Sequence, residues 1–320
     1  MCLLVMWVPQ IEGVFMKKKD VKLYDLTDLS NPQDVLKEIK YNISLMVSNF
    51  DFSSFEKIYE DIELVFAGKY PGYRASNTKY HDLEHTNSVI LAAVRLLHGG
   101  FMEGHAFIAK NILLGLLAAL FHDIGFIQIE SDLKGSGAKY TKGHEKRSID
   151  FMKKYLTKNS YSPAEMEDCS HLIMCTILNL SPDQIPFRSK EVKMIGKIVG
   201  SADLMAQMAD RAYLEKLLLL YEEFEEAGLP GYNSEFELLK KTEDFYKLVA
   251  RKRLAEDFDN VAAFMRPHFK ERWNIDRDLY DESISGHINY LKSIINKCQK
   301  TDPSLVQYLR RGKQEKNRRD

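Results

Sequence analysis

Ile112-Leu113-Leu114-Gly115-Leu116-Leu117-Ala118-Ala119-Leu120-Phe121, closed by His122-Asp123, is the stretch whose reading decides the fold class. A segment apolar on every side is a buried helix or a membrane span. Ten residues are too few for a span, which takes about 20, so the stretch reads as a core helix. The two polar residues at its end need an explanation. Burying an unpaired carboxylate costs several kcal/mol, so Asp123 either meets a strong partner or caps the next turn beside Gly125.

Outward from this helix, the apolar spacing is three or four. Leu36, Ile39, Ile43 and Met46 form one stripe, and Leu217, Leu220, Tyr221 and Phe224 another. Helix starts are marked at Asn31-Pro32 and by capping boxes at Ser162-x-x-Glu165 and Ser234-x-x-Glu237. Stops are expected at Gly99-Gly100, at Gly228 ahead of Pro230, and at Pro267. No series of alternating strands stands out. The expectation is an all-α, multi-helix bundle over residues 22–300, undivided by a repeat or linker. Residues 1–21 read as an N-terminal extension. Residues 1–15 are apolar and precede Lys17-Lys18-Lys19, the reverse of a signal peptide's order, and Met16 reads as an alternative start. Residues 301–320 read as a basic, solvated tail.

Composition narrows the function. The 320 residues carry 45 Lys+Arg against 46 Asp+Glu, a net charge of −1, which argues against a protein built to bind nucleic acid. No stretch calls for a membrane partner. Four cysteines (Cys2, Cys169, Cys175 and Cys298) without a CxxC pair are too few for a disulfide scaffold and fit reduced thiols in a cytoplasmic protein, with Cys169 and Cys175 as core residues.

The nine histidines are placed unevenly. His81 and His85 stand four apart, a spacing that puts both rings on one face of a helix. His122-Asp123 closes the apolar helix. Asp203 lies in Ile195-Gly196-Lys197-Ile198-Val199-Gly200-Ser201-Ala202-Asp203-Leu204-Met205, another carboxylate on or beside an apolar face; an N-cap or a buried, hydrogen-bonded acid is its plainer reading. Together His85, His122, Asp123 and Asp203 make a mixed nitrogen and oxygen set suited to one or two divalent ions: manganese, magnesium, iron, cobalt or zinc. His144 either lines the same pocket or is a surface residue at a helix start. His171 reads as a packed or exposed helix residue. His98, His105, His268 and His287 read as surface histidines, and Arg211 as a surface salt-bridge partner or a phosphate contact.

The order Tyr80-His81-Asp82-Leu83-Glu84-His85, then His122-Asp123, then Ala202-Asp203, resembles the HD-domain metal-dependent phosphohydrolases, and among them the catalytic domains of 3',5'-cyclic nucleotide phosphodiesterases. The stretch from Ala202 to Gly228, with Arg211, Tyr213 and Glu222-Glu223-Phe224, looks like the helix after that family's last metal ligand. The resemblance covers residues 75–230. It implies His85, His122, Asp123 and Asp203 as metal ligands, Asp123 also as a catalytic residue able to bridge a second ion, and His81 as the catalytic residue that protonates the leaving group. It implies hydrolysis of a phosphoester, above all a phosphodiester of a nucleotide, with a metal-activated water attacking phosphorus in line. A nucleotide phosphomonoesterase and a catalytically silent helical signalling module are the alternatives. The chain departs from the phosphodiesterase pattern where Ile124-Gly125-Phe126 follows His122-Asp123 in place of a further histidine, and where Ser88 replaces an aspartate. The natural substrate, and whether it is cyclic, stays open.

Overall fold

The computed structural model describes residues 20–301 together with 308 and 309. The extension at residues 1–15, the start at Met16, Cys2, the side chain of Cys298 and most of the basic tail lie outside the described residues. Eleven α-helices make up the rest: α1 (Pro32–Met46), α2 (Ser53–Phe66), α3 (Leu83–Met102), α4 (Ala109–Phe121), α5 (His144–Lys158), α6 (Pro163–Met174), α7 (Lys190–Ala209), α8 (Tyr213–Glu226), α9 (Glu235–Asp244), α10 (Met265–Trp273) and α11 (Leu279–Thr301). Two π-helical turns, Phe245–Ala250 and Arg253–Asp257, follow α9. No strand forms among the described residues; Tyr73 and Ile129 make one isolated antiparallel bridge.

Helix α4 is the core helix that its composition dictates. Leu116, Leu117, Ala118 and Ala119 are fully buried, and α3, α6 and α7 surround it. Each leucine taken out of water there contributes roughly 1.5–3 kcal/mol. The 18-residue window Ala109–Phe126 is long and apolar enough to cross a membrane by length and composition, but 83% of it is buried inside the fold, so neighbouring helices cover its apolar surface. Helix α3 packs most extensively on α7 and also touches α1, α4 and α10. The expected caps form at two starts. Asn31 accepts from the Gln33 amide, and Ser162 and Glu165 make a reciprocal capping box. Cys169 and Cys175 are buried free thiols, as expected, and burial pushes the Cys175 thiol up to about 12.

Four expectations need correction. Gly99-Gly100 does not stop α3, which continues to Met102. A Cβ on Gly99 would lie 1.8 Å from the Phe264 carbonyl oxygen, so this glycine serves close packing. Pro267 lies in the first turn of α10, where its missing N–H has no intrahelical acceptor to lose. Ser234 accepts from the Glu237 amide at 3.2 Å, but the Glu237 carboxylate reaches the amide of Asn233 and leaves the capping box half made. The fourth correction concerns His98 and His268, which are fully buried between α3 and α10, their Nδ1 atoms 3.1 Å apart. An apolar helix face conceals such a pair in the sequence, because each ring's partner is another histidine distant along the chain.

That pair makes stability pH-dependent. One ring donates to the other, and burial together with the nearby Arg272 and Arg95 keeps both rings neutral near pH 7. Burial, reinforced by Arg272 and opposed by Glu38, pulls His98 down to about 4 from 6.5; burial and Arg95 put His268 well below its ordinary value. Unfolded, each ring takes a proton near pH 6.5; folded, His98 does so only near pH 4. The unfolded state therefore binds more protons over that window, and stability falls as pH drops through it, by up to about 3 kcal/mol for His98. Thermal melts from pH 7 to pH 4 are expected to fall more steeply for the wild type than for His98→Gln. Parallel curves would contradict this.

Candidate metal centre

Three helices bring the cluster together. His85 sits in the first turn of α3, where the Asp82 carboxylate caps the helix by accepting from the His85 amide at 2.9 Å. His122 is the C-terminal cap residue of α4, and Asp123 follows it. Asp203 lies well inside α7, so it is no N-cap. Asp123 precedes a 3-10 turn but makes no side-chain cap there. Because α3, α4 and α7 pack on one another, these side chains converge. His85 Nε2 is 3.4 Å from Asp123 Oδ2 and 3.5 Å from Asp203 Oδ1. His122 Nε2 is 3.1 and 3.6 Å from the same two atoms. One ligand atom from each of His85, His122 and Asp203 lies within 4.8 Å of the others, a cluster that could hold a metal ion.

Hydrogen bonds prepare the rings for that role. His122 Nδ1 donates to the Ala119 carbonyl at 2.9 Å, which leaves Nε2 with a bare lone pair. That buried Nε2 faces Asp123 Oδ2 at 3.1 Å without a well-formed hydrogen bond, as a ligand nitrogen would before its ion is added. The charges agree. Burial opposes a proton on His85, yet Asp123 and Asp203 outweigh it and push this imidazole up to about 10. Burial likewise opposes charge on His122, and Asp123 prevails and raises it. Burial also opposes charge on Asp123, but His122 and His81 outweigh it and hold this carboxyl well below the usual carboxylate range. Two carboxylates, buried Asp123 and half-buried Asp203, thus attract positive charge to one point. Protons and a divalent cation compete for the same lone pairs there, so the donor set and the orphaned nitrogen fit a divalent ion.

The other candidate residues divide. His144 lines the site. Its Nδ1 donates to the Thr141 carbonyl at 2.9 Å, and its Nε2 is 3.4 Å from Asp123 Oδ1, the oxygen turned away from His85 and His122. Burial opposes its charge, and Asp123 prevails and pushes it up to about 9. His81 is not on α3, as the four-residue spacing suggested, because Asp82 starts the helix behind it. It nevertheless reaches the site, with its ring centroid 6.0 Å from that of His85 and stacked on Phe126 at 4.1 Å. Buried Glu223 fixes it, one oxygen accepting from His81 Nδ1 at 2.7 Å and the other from the Tyr80 amide at 2.7 Å. His81 Nε2 is then the nitrogen free to carry a proton. Arg211 goes elsewhere, over the Tyr24 ring. His171 is buried on α6, 3.2 Å from Glu167, and His105 and His287 are half-buried.

Two features of the site went unread in the sequence. Glu223 lies on the buried stripe of α8 with Leu217 and Leu220, and a charge at such a position was the available signal. Gly125 lets the turn after His122-Asp123 press onto α5, since a Cβ there would lie 2.0 Å from the His144 carbonyl oxygen. Ser148 locks the two together by accepting from the Gly125 amide at 2.9 Å and donating to the His122 carbonyl at 2.5 Å.

A family model described as Npun_R2479-like matches residues 129–262 of the chain. The match takes in His144, Asp203 and Glu223, while His81, His85 and His122-Asp123 lie ahead of it. No curated protein matches the chain.

Proposed function

We propose that this protein is a metal-dependent phosphohydrolase of the HD type, acting on a phosphodiester of a nucleotide. One observation carries the reading: His85, His122, Asp123 and Asp203 converge from three helices, with the Glu223-held His81 beside them. His85, His122 and Asp203, with Asp123 turned toward both histidines, would hold one or two divalent ions. Such an ion supplies Lewis-acid stabilisation of phosphoryl oxygens and lowers the pKa of water.

The chain's own groups account for the rest. When the P–O bond breaks, its electron pair goes to the departing oxygen, and His81, as an imidazolium whose Nδ1–H is held by Glu223, gives its Nε2 proton to that oxygen. Glu223 positions this ring and supports its positive charge. Asp123 faces His85 and His122 with one oxygen and His144 with the other, which suits a carboxylate shared between two cations. A silent signalling module has no use for a proton donor placed beside a cation site.

Hydrolysis of cyclic nucleotides, linear dinucleotides and mononucleotides by the full chain, with manganese, magnesium, iron, cobalt or zinc added in turn, tests the reading. Turnover of a diester in at least one metal is expected. Turnover confined to mononucleotides would replace it with a phosphomonoesterase, and no turnover with any metal would replace it with the silent module.

A further inference from the structure

Helix α3 has a second working face. Glu84, Ser88, Leu91 and Arg95 follow one another at helical spacing and line a cavity of about 780 Å³, a size that suits a small molecule. The segment from Leu23 to Ser30, α1, the end of α7 with Asp210 and Arg211, and the region of α10 and α11 around Arg272, Trp273 and Tyr280 complete its lining. None of His81, His85, His122, Asp123 and Asp203 belongs to it.

Arg95 is the unusual group there. It is 2% exposed, and no described carboxylate forms an ion pair with it. Its Nη1 donates to the Tyr280 hydroxyl at 3.1 Å and its Nη2 to the Thr27 hydroxyl at 3.3 Å, while its Nε is buried without a partner. Trp273 Nε1, on the same lining, is a second buried donor without one. The neighbouring Arg272 shows the contrast, since Glu38 holds it at 3.0 and 3.2 Å. Among the acids of the lining, Asp210 pairs with Lys216, Asp25 accepts from the Lys22 amide, and Asp28 and Asp34 are exposed.

A buried guanidinium without a counter-charge is costly, and two neutral hydroxyls do not offset it. Both hydroxyls accept from Arg95, so their own hydrogens are available to a further acceptor. A planar cation and two hydroxyl donors around one space form the chemistry of a carboxylate or phosphate site. We propose that this cavity binds a small organic anion, with its charged group at Arg95, Thr27 and Tyr280 and its apolar part against Leu91 and Trp273.

Thermal melting of the full chain with benzoate, with phenylphosphonate, and with sodium chloride at equal ionic strength tests this. At least one organic anion is expected to raise the melting temperature of the wild type by about 2–4 °C over the chloride control. Which of the two does so tells a carboxylate site from a phosphoryl site. The rise is expected to vanish in Arg95→Met. It is also expected to vanish in Ser88→Trp, which keeps Arg95 and fills the cavity from its wall, so a folding defect in the first variant leaves the second to decide. An anion bound only at the His/Asp cluster would give the same rise in both variants, and that result overturns the proposal. So does the absence of any rise in the wild type.

Discussion

Asp203→Ala is expected to lose its divalent ion and its hydrolytic activity together. Asp203 Oδ1 lies 3.5 Å from His85 Nε2 and 3.6 Å from His122 Nε2, so it completes the cluster from α7. Removing a residue that merely orients a ligand typically lowers metal affinity by about 10–100-fold, and loss of a direct ligand is expected to cost at least as much. The fold should persist, because the Asp203 side chain is 21% exposed and lies outside the apolar core. Metal content after gel filtration, with circular dichroism as the control for folding, decides the matter. Full metal occupancy in a folded Asp203→Ala chain would sink the assignment. His122→Ala is expected to behave in the same way, since its orphaned Nε2 has no other described function.

His81→Ala is expected to separate two substrates. A nucleotide ester leaves as an alkoxide, which departs badly without a proton, and general acid catalysis typically contributes ~10²–10⁴-fold. A nitrophenolate is stable without one. The variant should lose activity on the nucleotide ester by about that factor, retain most of it on a nitrophenyl ester, and keep its metal. Glu223→Gln should follow the same pattern, because the proton leaves Nε2 of an imidazolium whose Nδ1–H the carboxylate holds, and a neutral amide supports that cation less well. If His81→Ala loses both substrates and the ion together, His81 is a ligand. If it loses neither, the proton comes from another group, with His144 the next candidate, its Nε2 3.4 Å from Asp123.

Much of this architecture was legible because local and global signals agree. The run from Ile112 to Phe121 can only be satisfied inside a bundle, and α4 is buried there. His122 and Asp123 stood out because polar groups at the end of such a run need partners, and the two face each other at 3.1 Å. What was not legible depends on pairs distant along the chain. His98 and His268 are separated by 170 residues, and neither reveals the other. The contact of Glu223 with His81 spans 142 residues, and only its place on the buried stripe of α8 hinted at it. The reach of His81 was read rightly but for the wrong reason: spacing suggested a shared helix face, whereas Asp82 starts the helix after His81 and Glu223 aims the ring from α8. Gly99 looked like a stop because glycine often ends helices, but its lack of a side chain here admits the Phe264 backbone.

The proposed role of the His/Asp cluster is to hold a divalent ion used to cleave phosphoesters. Turnover of bis(4-nitrophenyl) phosphate by the full chain, first stripped with a chelator and then titrated with manganese, tests it most directly. No turnover is expected in the stripped chain, with recovery on titration and no recovery in Asp203→Ala. Turnover that survives stripping, or a stripped chain that stays inert with manganese, magnesium, iron, cobalt and zinc alike, would contradict it.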